Sequence, residues 1–338
     1  MISKLYEKIK KYIIKNHNFL LFIILFTIVL NIKTPYIVKA PGGTISLSSR
    51  VNINGKNIKS NYYTTYVKVI EGKVAGVIAS FIFPNWDLEK YEEYSGSTNL
   101  SYDELNKVEK LMMDEGNNIA IVTALKKANI DYETINHKIV VYYVFDGYEN
   151  DIKIGDIINT CNNNKVTSFE DIHNCVKKSD KEVELNITRG KKEKKITAKL
   201  YDDNNGSKII GISLLDTFDV KSKYDINITA SNSESGSSGG FMTTLSIYSE
   251  LVNLKLPKDI KIAGTGTIEE DESIGKIEGI KYKLLGSEKD KVDIFFVPYE
   301  NYEEALKVKK KHNLKLKIVK VEKLDDAINY LNNLNKKS

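Results

Sequence analysis

SNSESGSSGGFMTTLSIYSEL, residues 231–251, is the stretch on which the reading of the fold turns. Its first ten residues hold five serines and three glycines, the composition of a solvated tether. The residues that follow say otherwise. Phe241, Met242, Leu245, Ile247, Tyr248 and Leu251 recur close to the spacing of a helix with one buried face. A tether does not end inside a core helix. The stretch therefore reads as a tight glycine turn opening into a buried helix, which gathers backbone N–H groups and one serine hydroxyl at a helix N-terminus.

Working outward, residues 225–334 alternate strand and helix. A strand (INITA) precedes the glycine turn and a helix covers 241–253. Then come a strand at 260–264, a hairpin, a helix near 280–285, a strand (VDIFFVP), a helix over 301–312, a strand (LKIVKV) and a helix over 323–334. Such alternation predicts an α/β domain, with chemistry where strand ends meet helix starts. Upstream, residues 62–70 (YYTTYVKVI) are rich in β-branched and aromatic residues and predict a strand. Residues 103–128 carry helically spaced apolar positions whose simplest role is core packing. Between them and the α/β region, residues 139–200 form a small β-rich unit. It has a strand (IVVYYVF), a turn, GDIINTCNNNKV, a short helix at 169–176, and a hairpin of VELNITRG with KKITAKL.

The chain has 338 residues, 41% of them hydrophobic, enough for about two domains and appendages. Lys and Arg total 50 against 45 acidic residues, and arginine occurs only at Arg50 and Arg189. A modest +5 spread along the chain leaves no basic stripe for nucleic acid. Residues 19–30 (FLLFIILFTIVL) are almost wholly apolar. That run is short for a ~30 Å hydrocarbon core at ~1.5 Å per residue, so flanking residues must join it, and the expectation is an uncleaved anchor over 18–33. Lys4, Lys8, Lys10, Lys11 and Lys15 precede it, which predicts a cytoplasmic tail (1–17) and everything after about residue 33 outside. Cys161 and Cys175 could pair there, but both fall at expected core positions, and free buried thiols are the expectation.

Three separated pieces resemble the proteolytic domain of Lon-like proteases. Gly236-Ser237-Ser238-Gly239-Gly240 resembles the family's Gly-Pro-Ser-Ala-Gly loop; Ala263-Gly264-Thr265-Gly266-Thr267-Ile268 resembles its Thr-Gly element; and residues 274–283 (IGKIEGIKYK) resemble its Val-x-Pro-Ile-Gly-Gly-x-x-x-Lys element. The resemblance implies Ser238 as nucleophile, Lys283 as base and Thr265 as the residue that orients the lysine. Gly236, Ser237, Gly239 and Gly240 are implied as the loop that supplies oxyanion donors. The sequence departs from the pattern at Ser237 for proline, Gly239 for alanine, Lys276 for proline and Glu278 for glycine. Within residues 139–200, Ile154-Gly155-Asp156-Ile157-Ile158 and Asn163, Lys165 and Val166 resemble PDZ motifs, which implies binding of extended peptide as an added strand.

The whole order resembles the membrane-anchored, PDZ-containing Lon-like serine proteases of Gram-positive bacteria, the YlbL/SepM group. It implies an N-terminal transmembrane helix, a Lon-type proteolytic domain of α/β and α+β character in two pieces (34–128 and 204–338), and a PDZ domain (129–203) inserted between them. It further implies an ATP-independent serine endopeptidase at the cell membrane, its catalytic domain extracellular, acting on peptide or protein substrates. The sequence has no GxxxxGK[ST] loop for ATP and no metal-binding spacing among His17, His137, His173 and His312. No cofactor, ATP or metal is expected, and oligomeric state is left open.

The residue types suit the chemistry independently. A serine attacks only when a neighbour takes its proton, and a lysine can take it only when neutral, which burial favours. The alternatives stay open at this point: Ser238 as a helix cap, Lys283 as a surface lysine, and a catalytically inactive PDZ-containing scaffold. Glu278 motivates the last, since a carboxylate near Lys283 would keep the amine charged. Lys281 and Lys283 lie about 200° apart on a helix at ~100° per residue, so only one can face Ser238. The 18-residue interval from Thr265 favours Lys283.

Overall fold

The two central parallel strands are short and buried on both sides because helices cover both of their faces. In the computed structural model, which describes residues 2–96, 98–203, 205–231, 233–257 and 260–335, strand Ile262–Gly264 pairs in parallel with Ile294–Pro298 on one side. On the other it meets the start of strand Tyr62–Lys73, with Ile262 opposite Tyr62. Strand Lys317–Val321 continues the parallel order. Residues alternate across this sheet. Ile262, Ile294 and Phe296 join a core with the helices Tyr102–Lys127, Gly240–Leu251 and Leu324–Asn335, whereas Ala263, Phe295 and Val297 join a second core with the helices Ile280–Lys289 and Tyr302–His312.

Helix Tyr102–Lys127 starts in a reciprocal capping box of Ser101 and Glu104. Helix Gly240–Leu251 buries nearly every residue. The expected strand before the glycine turn is shorter than its sequence suggests. Ile226–Ile228 pairs antiparallel with Val51–Ile53 and stays outside the parallel sheet.

A second sheet has its own core. Strands run in the order Lys192–Lys199, Glu182–Arg189, Ile157–Cys161, Tyr132–Val144, Ile212–Ser222, with helix Phe169–Lys178 against them. Ile139, Val141, Ile158, Val176, Leu185 and Ile187 fill the space between. Buried Asp156 is held by Arg189, whose Nε and Nη2 each donate to it at 2.7 Å. The expectation of free thiols fails here. Cys161 and Cys175 form a disulfide, their Cα atoms 6.2 Å apart, because strand end and helix turn two compact side chains into the same core at bridging distance.

By its contacts the chain divides into two units, Met1–Pro41 with Val67–Thr98, and Gly42–Tyr66 with Asn99–Ser338. The first holds helices Ile2–Lys15, His17–Leu30 and Val74–Ile82, and there residues of strand Lys33–Ser46 pair antiparallel with Asp87–Lys90. The expected transmembrane helix over 18–33 is not found. Among the described residues no helix is long and apolar enough to cross a membrane. The apolar helix has 14 residues, about 21 Å at ~1.5 Å per residue against the ~30 Å required. It stops at Asn31, and the chain turns to strand from Lys33. The extension through flanking residues does not occur, and the single-pass anchor with an outside catalytic domain falls with it.

Candidate active site

The three sequence motifs converge at the end of strand Ile262–Gly264. Thr265 follows the strand directly, Ser238 sits just before the helix Gly240–Leu251, and Lys283 lies in the first turns of the helix Ile280–Lys289. The Lys283 Nζ donates to Ser238 Oγ at 2.8 Å and to Thr265 Oγ1 at 2.9 Å. The Thr265 hydroxyl donates in turn to the Ser238 carbonyl at 3.1 Å, and the Gly266 N–H donates to the same oxygen at 2.8 Å. The residue after the threonine thus fixes the serine backbone from one side. The Phe241 N–H, donating to the Gly266 carbonyl at 3.1 Å, closes the strap.

Neither structural alternative for the two residues describes this arrangement. The cap position of the serine helix is Gly239, with no side-chain cap, while the Ser238 hydroxyl faces Lys283. Lys283 is only 4% exposed. Burial pulls its amine down from 10.5 to about 8, against a smaller opposing pull from the Glu109 carboxylate. A buried ammonium loses hydration that two neutral hydroxyls replace only in part. Lys281 is half-buried elsewhere on the helix, its Nζ 5.3 Å from the Tyr282 ring centre.

The glycine turn is shaped by the long helix. The Gly236 N–H donates to the Glu109 carbonyl at 2.9 Å, and Gly236 takes a left-handed φ of +90°. A Cβ there would stand 2.9 Å from Glu109 Oε2, the movable tip of a flexible side chain, so it is the left-handed φ that calls for glycine. Gly116, about two turns along the same helix face, lets the helix pass the turn, since its Cβ would come 3.2 Å from Ser237 Cβ. The Ser237 carbonyl accepts the Gly240 N–H at 3.0 Å, whereas the amides of Ser238 and Gly239 donate to no acceptor among the described residues. Two amides beside a serine hydroxyl are the donors an oxyanion needs.

Of the departures from the motif, Gly239 has ordinary helical φ, and a Cβ would meet Thr64 Cγ2 at 3.3 Å. Lys276 and Glu278 are exposed. The carboxylate that acts on Lys283 is Glu109, not Glu278. Sequence reasoning passed over Glu109, which lies 174 residues (283 − 109) from the lysine it affects. Nothing set it apart from the other acidic residues of a helix assigned to packing, Asp103, Glu104, Asp114 and Glu115. Desolvation, then Glu278, raise the Glu109 carboxyl above the usual carboxylate range, and Lys283 opposes them. Among the described residues no group of three or more His, Cys, Asp or Glu side chains could hold a metal ion.

Residues 181–333 match the family model described as the Lon protease (S16) C-terminal proteolytic domain, a span that contains Ser238, Thr265 and Lys283. Lon protease of Clostridioides difficile (strain 630) is 28% identical over 158 residues, covering 44% of this chain and 20% of that protein. The chain thus spans about a fifth of the length of this relative. Two solved structures resemble it over 23% of its length: the PDZ domains of SdrC-like proteins from Listeria monocytogenes, at 24% identity, TM-score 0.22 and 86% coverage of that chain, and from Listeria innocua, at 20%, 0.22 and 92%.

Proposed function

We propose that this chain is a serine endopeptidase in which Ser238 is the nucleophile and Lys283 the general base. One observation carries the reading: a lysine amine, 4% exposed, sits 2.8 Å from a serine hydroxyl at the mouth of a glycine turn. The match to a Lon-type proteolytic domain over the same residues supports it.

A neutral amine has two N–H groups and one lone pair. With one N–H spent on Thr265 Oγ1, the lone pair is free to take the Ser238 Oγ proton as the oxygen attacks a peptide carbonyl. The resulting oxyanion meets the amides of Ser238 and Gly239. Collapse expels the amine, which takes the proton back from the Lys283 ammonium, and leaves an acyl group on Ser238 Oγ. Water, deprotonated by Lys283, then releases the acid.

No nucleotide enters these steps. The activity proposed is cleavage of extended chains by chemistry that itself consumes no ATP. The second sheet is proposed as a PDZ-like unit that presents extended peptide by strand addition. Incubating the purified chain with unstructured peptides and reading products by mass spectrometry tests the assignment. Cleavage should be lost in Ser238→Ala and Lys283→Ala and kept in Lys281→Ala. Cleavage that survives Ser238→Ala, or loss in Lys281→Ala with retention in Lys283→Ala, would overturn it.

A further inference from the structure

The helix that carries Lys283 is held from behind. At ~100° per residue, Gly286 and the C-cap Asp290 lie within about 60° of Lys283 around the helix Ile280–Lys289, so the face that bears the amine also bears a seat. At Gly286 the helix rests on residues 42–43 of strand Lys33–Ser46. A Cβ there would stand 2.8 Å from the Gly43 nitrogen, 2.9 Å from the Gly42 carbonyl carbon and 3.0 Å from Gly43 Cα. These are backbone atoms, which cannot swing aside. A glycine inside a helix weakens it, so close approach is what the position serves. One turn on, Asp290 Oδ2 accepts the Thr44 N–H at 2.7 Å and the Thr44 hydroxyl at 2.9 Å. The Asp290 carbonyl accepts the Lys261 amine at 2.9 Å, next to strand Ile262–Gly264, which leads into Thr265. Glu288, about 140° from Lys283, ties the helix elsewhere, accepting the Lys315 and Leu316 N–H groups at 2.9 and 3.1 Å.

We propose that Gly286 and Asp290 are positioning residues: seated on residues 42–44, they set the depth at which Lys283 stands beside Ser238 and Thr265. The proposal rests on the Ser238–Lys283 reading and adds what holds the amine in reach. A helix displaced outward would carry the amine away from both hydroxyls, and a misplacement of about 1 Å is enough to cost roughly 100-fold in rate. The groups that act on the amine are the Ser238 and Thr265 hydroxyls and the Glu109 carboxylate of the long helix. Changes at the seat leave all three in place, so what they report is position.

The test compares Gly286→Ala, Asp290→Ala and Asp290→Asn, with Glu288→Ala as the control for a helix that is merely loosened. Protein labelled with ¹³C at lysine Cε, with the Lys283 signal assigned by its loss in Lys283→Met, reports the protonation of this amine without any reaction. In Gly286→Ala and Asp290→Ala the Lys283 midpoint should rise by at least about half a pH unit, since an outward helix returns the amine to water. On its alkaline plateau kcat should fall about 10-fold or more, with KM within about twofold of wild type. Asparagine keeps the acceptor for Thr44, so Asp290→Asn should match wild type in both. Glu288→Ala should lower stability toward urea and move neither. Asp290→Ala adds no bulk and decides the matter if Gly286→Ala does not fold. An unchanged midpoint in Asp290→Ala, or a shift as large in Asp290→Asn or Glu288→Ala, overturns the proposal. If wild type cleaves nothing through Ser238, the dyad reading fails, and the titration still judges the seat.

Discussion

Lys283→Met is the substitution whose consequence the structure sizes best. Methionine fills nearly the same volume without a charge, so the difference between the two proteins isolates what it costs to bury the amine. The unfolded chain titrates this group near 10.5 and the folded one near 8. Because the folded value is the lower one, burial penalises the ammonium. That penalty is present in full below pH 8, fades as pH rises from 8 to 10.5, and is gone above it. With a difference of 10.5 − 8 = 2.5 units at 1.36 kcal/mol per unit, the penalty is about 3 kcal/mol at pH 7 and between about 1 and 2 kcal/mol at pH 9.5. Urea unfolding of wild type and Lys283→Met at the two pH values reads it directly. The stability of Lys283→Met relative to wild type should fall by about 2 kcal/mol from pH 7 to pH 9.5, whatever constant offset the lost hydrogen bonds to Ser238 and Thr265 add. A difference that does not change with pH would refute the desolvated lysine.

Ser238-dependent kcat/KM should rise about tenfold from pH 7 to pH 9 with a midpoint near 8, the direction required of a base that works only when neutral; a flat profile, or one that falls, contradicts it. Gly236→Ala forces a side chain into a left-handed φ and against Glu109 Oε2; denaturation should show a loss of about 1–3 kcal/mol and activity should fall with it, whereas Gly239→Ala should cost less than half as much. Thr265→Val removes both the acceptor for Lys283 and the donor to the Ser238 carbonyl; cleavage should drop about 10- to 100-fold with the fold intact, read by kinetics beside circular dichroism. Cys161→Ser with Cys175→Ser opens a loop of 14 residues and should destabilise the second sheet by about 3 kcal/mol, while the pH midpoint of cleavage stays where it was.

The fold was legible wherever periodicity was strong. Phe241 to Leu251 announced a buried helix, and VDIFFVP a strand, because burial leaves a pattern in one dimension. Ser238, Thr265 and Lys283 stood out as motifs, and the structure brings them within hydrogen-bonding distance. What failed were properties that depend on where separate segments end up. The apolar run at 19–30 looked long enough to recruit its neighbours, but Asn31 ends the helix and the chain turns to strand. Cys161 and Cys175 looked like separate core residues until a strand end and a helix turn placed their Cα atoms 6.2 Å apart. Ile226–Ile228 found its partner in Val51–Ile53, about 170 residues back. Glu109 was invisible because its partner is an amine on another helix. Glu278, near Lys283 in sequence, drew the attention instead.

The central claim is that Lys283 activates Ser238, and covalent capture tests it most directly. The purified chain, treated at pH 9 with a serine-reactive fluorophosphonate, is digested and the peptide containing Ser238 weighed. The account predicts a single adduct on Ser238 in wild type and Lys281→Ala, formed more slowly at pH 7, and none in Ser238→Ala or Lys283→Met. Equal labelling of wild type and Lys283→Met, or an adduct on another serine of the same turn, would contradict it.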